Sequence, residues 1–388
     1  MKMKRHIDLL KYIKEERTCM VFGGFYSTKK YKTLHSLSAI LIMAVVSLYN
    51  LLGLLHGFQH ISNVAVFSQS IAYLLTGISF SCKMINLIVH KNNLLLLDEI
   101  LQNPVSTELE TTEEEVVLRN KLKFGQTLKK IYKLYTSATV TVQVLYPMIN
   151  NPGHKNFPLL FWFPFNPEDH YYKVYFAEIL MIFCICTFNV TVDLLNVLFM
   201  DLCAAQFELL KYRLKHFGRE FHGGEAVNDR TLYEKLNKII VHQNLVYRFS
   251  KLTEDTFSAG VFCHLACTVI VLCCAIFKAV ITPIKSMQFL MMATYSFCMT
   301  LEVSLYCCYG QKVLDSSSTV TEACFMANWY NCNVKVQEDL VIIMNRANKS
   351  VTMKAGGMFP LTLETLMRIW SSAYSFLTLL MQIYNENY

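Results

Sequence analysis

Charged residues are scarce in this chain. Asp, Glu, Lys and Arg make up 17% of its 388 residues, whereas soluble domains average about 25%. Hydrophobic residues make up 53%, and the mean hydropathy is +0.31. These values exclude one large soluble core and indicate several membrane-spanning segments.

Several functional signatures are absent as well. The sequence has no Gly-rich phosphate loop, no zinc-type Cys/His spacing and no serine elbow, so we predict no catalytic residue, metal site or cofactor, and no enzyme. The net charge of +7 comes from loops between apolar segments, without the basic face that nucleic-acid binding requires. No internal repeat of the kind found in many transporters is present.

The N-terminal residues lack the apolar core of a secretory signal peptide. The stretch MKMKRHIDLLKYIKEERTCM is charged throughout, so we expect the first span to act as its own insertion signal. Residues 1–33 are predicted to form a cytosolic arm. Within it, a short amphipathic segment around Ile7, Leu10 and Ile13 is expected to lie on the bilayer surface.

Seven apolar stretches are long enough to cross a bilayer, which takes about 20 mostly apolar residues. They lie at 34–55, 64–89, 131–149, 174–200, 257–283, 286–310 and 361–384. The third is rich in Thr, Ser and Tyr. The predicted fold class is an all-α membrane protein in which residues 1–388 form a single domain of seven transmembrane helices.

Basic residues alternate between many and few along the connecting segments. There are nine before the first span, none in 56–63, six in 90–130, two in 150–173, nine in 201–256, one in 284–285 and five in 311–354. The positive-inside rule therefore predicts a cytosolic N-terminus and an extracellular C-terminus. Segments 201–256 and 311–354 then form a cytosolic anchor. This orientation is the reverse of that of G-protein-coupled receptors, which argues against a metabotropic receptor.

The last span is separated from the helix before it. A short cytosolic helix is predicted at 337–348, and MKAGGMFP follows. Gly356, Gly357 and Pro360 interrupt the helix there, and Thr362 is suited to cap the next one. We therefore predict that the last element is split into a cytosolic half and a spanning half.

One face of the spanning half combines aliphatic and polar residues. Leu379, Gln382 and Ile383 share that face by their i, i+3, i+4 spacing, and Ser375 continues it towards the cytosol. Several copies of such a helix around an axis would form a hydrophobic ring beside an amide ring, which gates and weakly selects ions. The alternative is a lipid-facing or subunit-packing helix end whose glutamine reaches the interface.

Charged residues occur inside other spans. Glu178, Asp193 and Glu302 are interpreted as structural acids, although intramembrane acids are often functional. Lys83 and Lys278 lie near span ends and are predicted to extend their ammonium groups to the membrane surface.

The predicted outer halves of spans two, three, four and six carry aromatic and Met side chains with few polar groups. This composition suits a small apolar ligand, and ordinary packing between helices is the alternative. The candidate ligand-binding residues are Phe67, Ser70, Tyr73, Thr139, Gln143, Tyr146, Phe176, Phe183, Met291 and Tyr295.

Two stretches near the C-terminus resemble the insect odorant receptor family. The first runs over 306–330 and contains YCCYGQ, EACF and NWY. The second is AGGMFPLTLETL at 355–366, followed by SSAYSFLTLL at 371–380. Their spacing, the seven predicted spans with a cytosolic N-terminus and the chain length all agree with that family.

The resemblance implies a ligand-gated, non-selective cation channel. Family members of this kind pair an odorant-tuning subunit with the shared coreceptor, Orco, in a heterotetramer in the plasma membrane of a sensory neuron dendrite. The family's gate falls on Leu379, Gln382 and Ile383 here, and its odorant site falls on the outer-half residues given above. The segment between spans four and five is shorter than in the coreceptor, which indicates a tuning subunit.

A gustatory-type receptor channel is the alternative that the resemblance leaves open. Gustatory receptors end in a related pattern, which Ser375–Phe376 and Gln382–Ile383 match in part. A metabotropic chemoreceptor is a further alternative, disfavoured by the predicted orientation.

Overall fold

The computed structural model describes residues 5–26, 32–150, 156–218 and 229–387. These residues are mostly helical. The helices are α1 Lys14–Phe22, α2 Lys32–Gln59, α3 Val64–Val89, α4 Lys91–Gln102, α5 Pro104–Thr107, α6 Thr112–Asn150, α7 Tyr171–His216, α8 Asp229–Ile281, α9 Met287–Ser318, α10 Val320–Phe325, α11 Val334–Ala347 and α12 Leu363–Asn387. Two small antiparallel pairs join β1 Arg5–His6 to β2 Glu108–Leu109 and β3 Lys354–Ala355 to β4 Phe359–Pro360. Parts of the predicted arm and anchor lie outside the described residues.

All seven predicted spans are helical, which confirms the predicted all-α class. The first two are α2 and α3, the third is the second half of α6, the next three lie in α7, α8 and α9, and the last is α12. Helices α6, α7 and α8 extend well beyond a bilayer's thickness, and α7 and α8 reach into the segment 201–256 of the predicted anchor. The short helix predicted at 337–348 is α11.

The spans differ in how apolar they are. Within the described ranges, five helices are long and apolar enough to cross a membrane, namely α2, α3, α7, α8 and α9. The helices α6 and α12 are long but more polar. In α6 this reflects the Thr, Ser and Tyr residues of the third span. In α12 it reflects the serines and Gln382 along one face.

Helix α7 lies at the centre of the bundle. Every residue from 191 to 207 is buried, because α6, α8, α9 and the first helix all pack around it. A helix surrounded on all sides is expected to be apolar, yet this stretch contains Asp193, Asn196 and Asp201. Buried polar groups of this kind require partners from neighbouring helices.

The N-terminal arm packs into the protein rather than on a bilayer surface, so that expectation was wrong. Leu9 and Ile13 are buried in the hydrophobic core. The Tyr12 hydroxyl donates to the Leu122 carbonyl at 3.2 Å and to the Asp201 carboxylate. The amphipathic pattern was correct, but the surface that covers its apolar side is formed by α6 and α7.

The predicted break before the last span is a β-hairpin. Gly356 and Gly357 have φ angles of 60° and 70°, a conformation that L-residues rarely adopt and glycine adopts freely. The Met358 N–H donates to the Ala355 carbonyl at 3.2 Å across this turn. The hairpin is fixed to α8, because the Ser258 hydroxyl donates to the Lys354 carbonyl at 2.7 Å and the Gly356 N–H donates to the Ser258 carbonyl at 3.0 Å.

Gly310 on α9 determines how closely the start of α12 can approach that helix. A Cβ atom at Gly310 would lie 2.3 Å from the Leu361 carbonyl oxygen and 2.5 Å from the Leu361 Cβ. Since Leu361 is also buried, neither side can move away without displacing the start of α12.

We therefore expect Gly310→Ala to lower thermal stability and surface delivery. The substitution gains up to about 1 kcal/mol of helix propensity, but the clash with backbone outweighs it. The matched control is Gly53→Ala, where the new methyl would meet only the Phe161 ring at 3.8 Å, an ordinary contact. Melting of the purified receptor in detergent distinguishes the two, and equal melting temperatures would contradict the close-approach argument.

Candidate functional site

An aromatic and hydroxyl cluster joins α3 to α9 in the half of the bundle predicted to face outwards. The Tyr73 and Tyr295 rings meet edge to face with centroids 5.6 Å apart. The Tyr295 hydroxyl lies 2.6 Å from the Thr76 hydroxyl and donates to the Ala72 carbonyl at 3.4 Å. Two predicted ligand residues are thus in direct contact, and Thr76, which the sequence did not single out, bonds one of them.

The hydroxyl of Tyr73 is available to a polar ligand group. It is buried without a hydrogen bond of normal geometry, with Gln69 as a polar neighbour. Met291 is buried in the same hydrophobic core, and Tyr146 and Tyr295 pack against that core. A buried hydroxyl without a partner loses about 1–3 kcal/mol relative to a bonded one, so a ligand acceptor at this point would be stabilising.

Ser70 has a partner that the sequence concealed. His56, predicted to lie in an outer loop, is instead in the last turn of α2, and its Nδ1 lies 2.9 Å from the Ser70 hydroxyl. The His56 ring stacks on the ring of His60 with centroids 4.3 Å apart. If α2 had been predicted four residues longer, the i, i+4 spacing would have indicated that the His56 and His60 rings lie on the same side of the chain.

Other predicted ligand residues are placed less favourably. Phe176 and Phe183 are 62% and 66% exposed, so they lie on the outside of α7 and do not join the cluster. Aromatic residues on such a surface suit lipid contact. The Thr139 hydroxyl donates to the Tyr135 carbonyl one turn earlier on its own helix. Phe67 and Gln143 are half-buried.

The cluster encloses little empty space. A cavity beside Thr76 and His264 has a volume of about 10 Å³, room for about one water molecule. A larger cavity of about 350 Å³ lies in the predicted cytosolic half, but charged side chains such as Glu114, Arg213 and Lys238 line it. That lining suits a polar ligand rather than an apolar one.

The predicted pore residues occupy one side of α12. The helix packs on α8 and α9 through a stripe that includes the buried residues Leu366, Ile369 and Ala373. On the opposite side, four exposed residues form a continuous face. They are Ser375, Leu379, Gln382 and Ile383, so the structure places all four at exposed positions of one helix.

A buried charge cluster ties four helices together beneath the aromatic cluster; we call it the ionic junction. The Lys83 ammonium on α3 lies 2.7 Å from Asp193 Oδ1 on α7 and 2.5 Å from Glu302 Oε1 on α9. These three side chains are only 3%, 2% and 1% exposed. His264 on α8 places its Nε2 3.1 Å from Glu302 Oε1, and the Tyr306 hydroxyl donates to Asp193 Oδ1 at 2.5 Å.

The junction corrects one prediction about charged residues. Lys83 does not extend to the membrane surface, because two acids from other helices surround its ammonium group. Lys278 is also buried. Glu178 has a separate structural role, since it accepts a hydrogen bond at 3.0 Å from the Leu159 N–H and so fixes the connection between α6 and α7.

Another buried acid, Asp201, holds the N-terminal arm at the predicted cytosolic side. Asp201 accepts from Tyr12 and from the Lys312 ammonium at 2.5 Å. Burial raises the pKa of the Asp201 carboxyl, and the contacts with Lys312 and Tyr12 oppose that rise. The same burial, with the Asp201 charge beside it, raises the pKa of the Tyr12 phenol, so Tyr12 remains a hydrogen-bond donor at any physiological pH.

Comparison with known proteins gives this architecture a family. A family model described as 7tm odorant receptor matches residues 63–374. Odorant receptor 94a of Drosophila melanogaster is 22% identical over 332 residues, covering 84% of this chain and 83% of that protein. The solved insect olfactory receptor OR5 of Machilis hrabei, in complex with eugenol, superposes with a TM-score of 0.83 at 12% identity, covering 97% and 98% of the two chains. A second solved structure of the same receptor superposes with a TM-score of 0.78, again at 12% identity and with the same coverage.

The helical bundle with its apolar spans defines a multi-pass membrane receptor rather than an enzyme. The chain belongs to the seven-transmembrane odorant receptor family of insects. Its fold is the seven-helix fold of that family, and its general role is odorant sensing.

The ionic junction gives a direct prediction about stability. Lys83→Met leaves two buried acids without their cation, which typically costs about 3–5 kcal/mol. We therefore expect a large loss of surface delivery and of melting temperature.

The matched control for this substitution is Lys278→Met. Lys278 is buried as well, but it forms no ion pair with another described residue, so its replacement removes a desolvated charge and leaves no acid uncompensated. Surface labelling of tagged receptor measures both variants. Equal delivery of Lys83→Met and wild type would show that the junction contributes little.

Proposed function

We propose that this chain is the odorant-tuning subunit of a heteromeric, odorant-gated, non-selective cation channel in the plasma membrane of an olfactory sensory neuron. The observation that carries the proposal is the face of α12 formed by Ser375, Leu379, Gln382 and Ile383. These side chains are exposed in a single chain and lie opposite the stripe that packs on α8 and α9. The partner subunit is the coreceptor, Orco.

A pore would explain why that face of α12 contains polar residues. A single α12 cannot enclose a water-filled path, whereas four copies around an axis can. The aliphatic side chains of Leu379 and Ile383 would then close the path by dewetting, and the Gln382 amide would meet water and ions instead of lipid. The same amide facing hydrocarbon would lose hydrogen bonds that lipid cannot replace.

Apolar residues on α11 support assembly with other subunits. Val334, Val341 and Ile342 are 60–70% exposed on a helix that lies in the predicted cytosolic anchor. Lipid does not cover that region, and a contiguous apolar surface in water favours a protein partner. Contacts between anchors would hold four α12 helices around one axis.

The proposed odorant site is the space around Tyr73, Thr76 and Tyr295. Its lining is aromatic, and its polar groups are a buried Tyr73 hydroxyl without a hydrogen bond of normal geometry and a Tyr295–Thr76 hydroxyl pair. A small volatile with one hydrogen-bonding group matches this lining. Because the cavity is small without a ligand, binding requires Tyr73 or Met291 to change rotamer, and that movement would start the opening.

The proposal is tested by co-expressing the chain with the coreceptor in cells under voltage clamp and applying a panel of volatiles that includes eugenol. We expect inward cation currents for a subset of the panel that the coreceptor alone does not produce. Surface delivery without any odorant-dependent current would count against the channel function. A current blocked by inhibitors of G-protein signalling would favour the metabotropic alternative.

Replacing Gln382 is expected to change ion permeation but not odorant preference. A lysine about 4 Å from the ion path costs a cation about 1 kcal/mol even in water, so Gln382→Lys should reduce cation conductance about fivefold or more. Gln382→Ala should shift the reversal potential in mixed cations. The control is Phe376→Leu, an exposed change on the flank of the same helix. A changed order of odorant potency with unchanged permeation would show that Gln382 is not in the pore.

Removing the Tyr295 hydroxyl is expected to change odorant tuning. Tyr295→Phe breaks the bond to Thr76, worth about 0.5–1.5 kcal/mol, so half-maximal concentrations should shift about 2–10-fold and by different factors for different odorants. Tyr135→Phe is the matched control, because its hydroxyl donates to the Thr294 backbone carbonyl at 3.0 Å outside the Tyr73–Tyr295 contact. Dose–response curves of both variants are the measurement. Equal shifts of the half-maximal concentration in both variants would place the ligand elsewhere.

A further inference from the structure

The ionic junction does not balance its charges. One ammonium, Lys83, faces two carboxylates, Asp193 and Glu302, and all three side chains are almost completely buried. With a neutral His264, the cluster would carry a net charge of −1 in the middle of a membrane protein. An uncompensated buried charge is strongly destabilising, and a protein normally avoids it by binding a proton.

The hydrogen bonds indicate where such a proton would sit. Asp193 Oδ2 and Glu302 Oε2 are buried and have no hydrogen-bond donor, although the other oxygen of each acid contacts Lys83. The Asp193 and Glu302 carboxyl groups also lie close together, because Asp193 Oδ1 and Glu302 Oε1 contact the same Lys83 ammonium at 2.7 Å and 2.5 Å. Two carboxylates repel at such a separation, whereas a carboxylic acid donates to a carboxylate.

The neighbours of the acid pair are neutral in this arrangement. His264 is neutral when its Nε2–H donates to Glu302 Oε1 and its Nδ1 accepts from the Ser79 hydroxyl. Around the pair, His264 lies between Glu302 Oε1 and the Ser79 hydroxyl, with Nδ1 2.9 Å from Ser79 Oγ. The other titratable groups near it are phenols and thiols, which are neutral near pH 7. They are Tyr132 of α6, Cys186 of α7, Cys263 and Cys267 of α8, Cys298 and Tyr306 of α9, and Cys82 of α3.

The junction also lies directly below the proposed odorant site on the same two helices. Thr76 and Lys83 are seven residues apart on α3, and Tyr295 and Glu302 are seven residues apart on α9. Seven residues make two helical turns, about 10 Å. The cavity of about 10 Å³ is lined by Thr76, Ser79 and Glu302 together, so it borders both the proposed odorant site and the ionic junction.

We propose that Asp193 and Glu302 share one exchangeable proton beside Lys83, which makes the ionic junction a proton-binding site separate from the odorant site. A hydronium ion transfers one proton to a carboxylate oxygen and becomes water, and the charge of the cluster rises from −1 to 0. Both sites lie on α3 and α9. Whether the ionic junction holds the proton therefore sets the distance between these two helices at the odorant site. The response to odorant is therefore pH-dependent, a consequence that rests on the proposed function.

Infrared spectroscopy of the purified, assembled receptor tests the proton without using channel activity. A protonated carboxylic acid has a C=O stretch that shifts in D₂O, and we expect this band to lose intensity in both Asp193→Asn and Glu302→Gln. The control is Glu178→Gln, which alters a buried acid outside the junction. This variant must keep the part of the C=O band that comes from the ionic junction. Unchanged spectra in the two junction variants would show that both acids are ionised and would overturn the proposal.

Surface delivery and currents provide the second measurement. An amide closely resembles a protonated acid, so we expect at least one junction amide variant to reach the surface, and failure of both would contradict a shared proton. In the wild type, the half-maximal odorant concentration should change about fivefold or more over about pH 5–8, within the usual range of coupling between sites. In the amide variants this dependence should disappear. If the spectra show the proton but currents are independent of pH, the site exists without coupling, and the coupling claim fails.

Discussion

The structure depends on the pairing of buried charge around α7. This helix is surrounded by other helices over more than four turns, so no side chain there can reach water or lipid headgroups. Asp193 can remain in that position only because Lys83 reaches it from α3, and Glu302 shares the same ammonium from α9. A contact that requires three helices to present complementary groups at one point fixes their rotation and vertical position more strictly than apolar packing does.

The same helices connect the sites that the proposed function needs. The Tyr73–Tyr295 cluster lies on α3 and α9 above the ionic junction, and His264 adds α8 to the junction. Helix α8 in turn carries α12, through the hairpin bonded to Ser258 and through the Phe277–Tyr384 ring contact at 5.5 Å. The contacts are continuous from the Tyr73–Tyr295 cluster to α12. Continuity of this kind is a structural requirement for coupling between the two ends.

The sequence was sufficient wherever one helix or one turn carried the information. Hydropathy predicted all seven spans, Gly356 and Gly357 marked the break before α12, and helical spacing placed Ser375 with Gln382 on one face. These features depend on residues close together in the chain. The family resemblance, from two short C-terminal stretches, was confirmed by a family match over residues 63–374.

The errors arose where the answer depended on a partner distant in sequence. Lys83 near a span end suggested a surface lysine, because nothing local shows that Asp193, 110 residues away, faces it. The amphipathic arm was assigned to lipid because its real partner on α7, Asp201, is 189 residues away from Tyr12. Sequence also does not reveal which side of a helix faces the bundle. Phe176 and Phe183, placed in the candidate ligand set by residue type and predicted outer position, lie on the exposed side of α7, and their ligand role stays a prediction.

The most direct test of this account is a double-mutant cycle between Lys83 and Glu302, with melting of the purified receptor in detergent as the readout. If a shared charge balance holds the bundle together, adding Glu302→Gln to Lys83→Met should recover stability at a pH at which the acid pair has released its proton, because only one carboxylate then remains without its cation. Interacting pairs of this kind typically deviate from additivity by about 0.5–3 kcal/mol. Strictly additive losses would show that the two side chains do not depend on each other and would contradict the central role of the ionic junction.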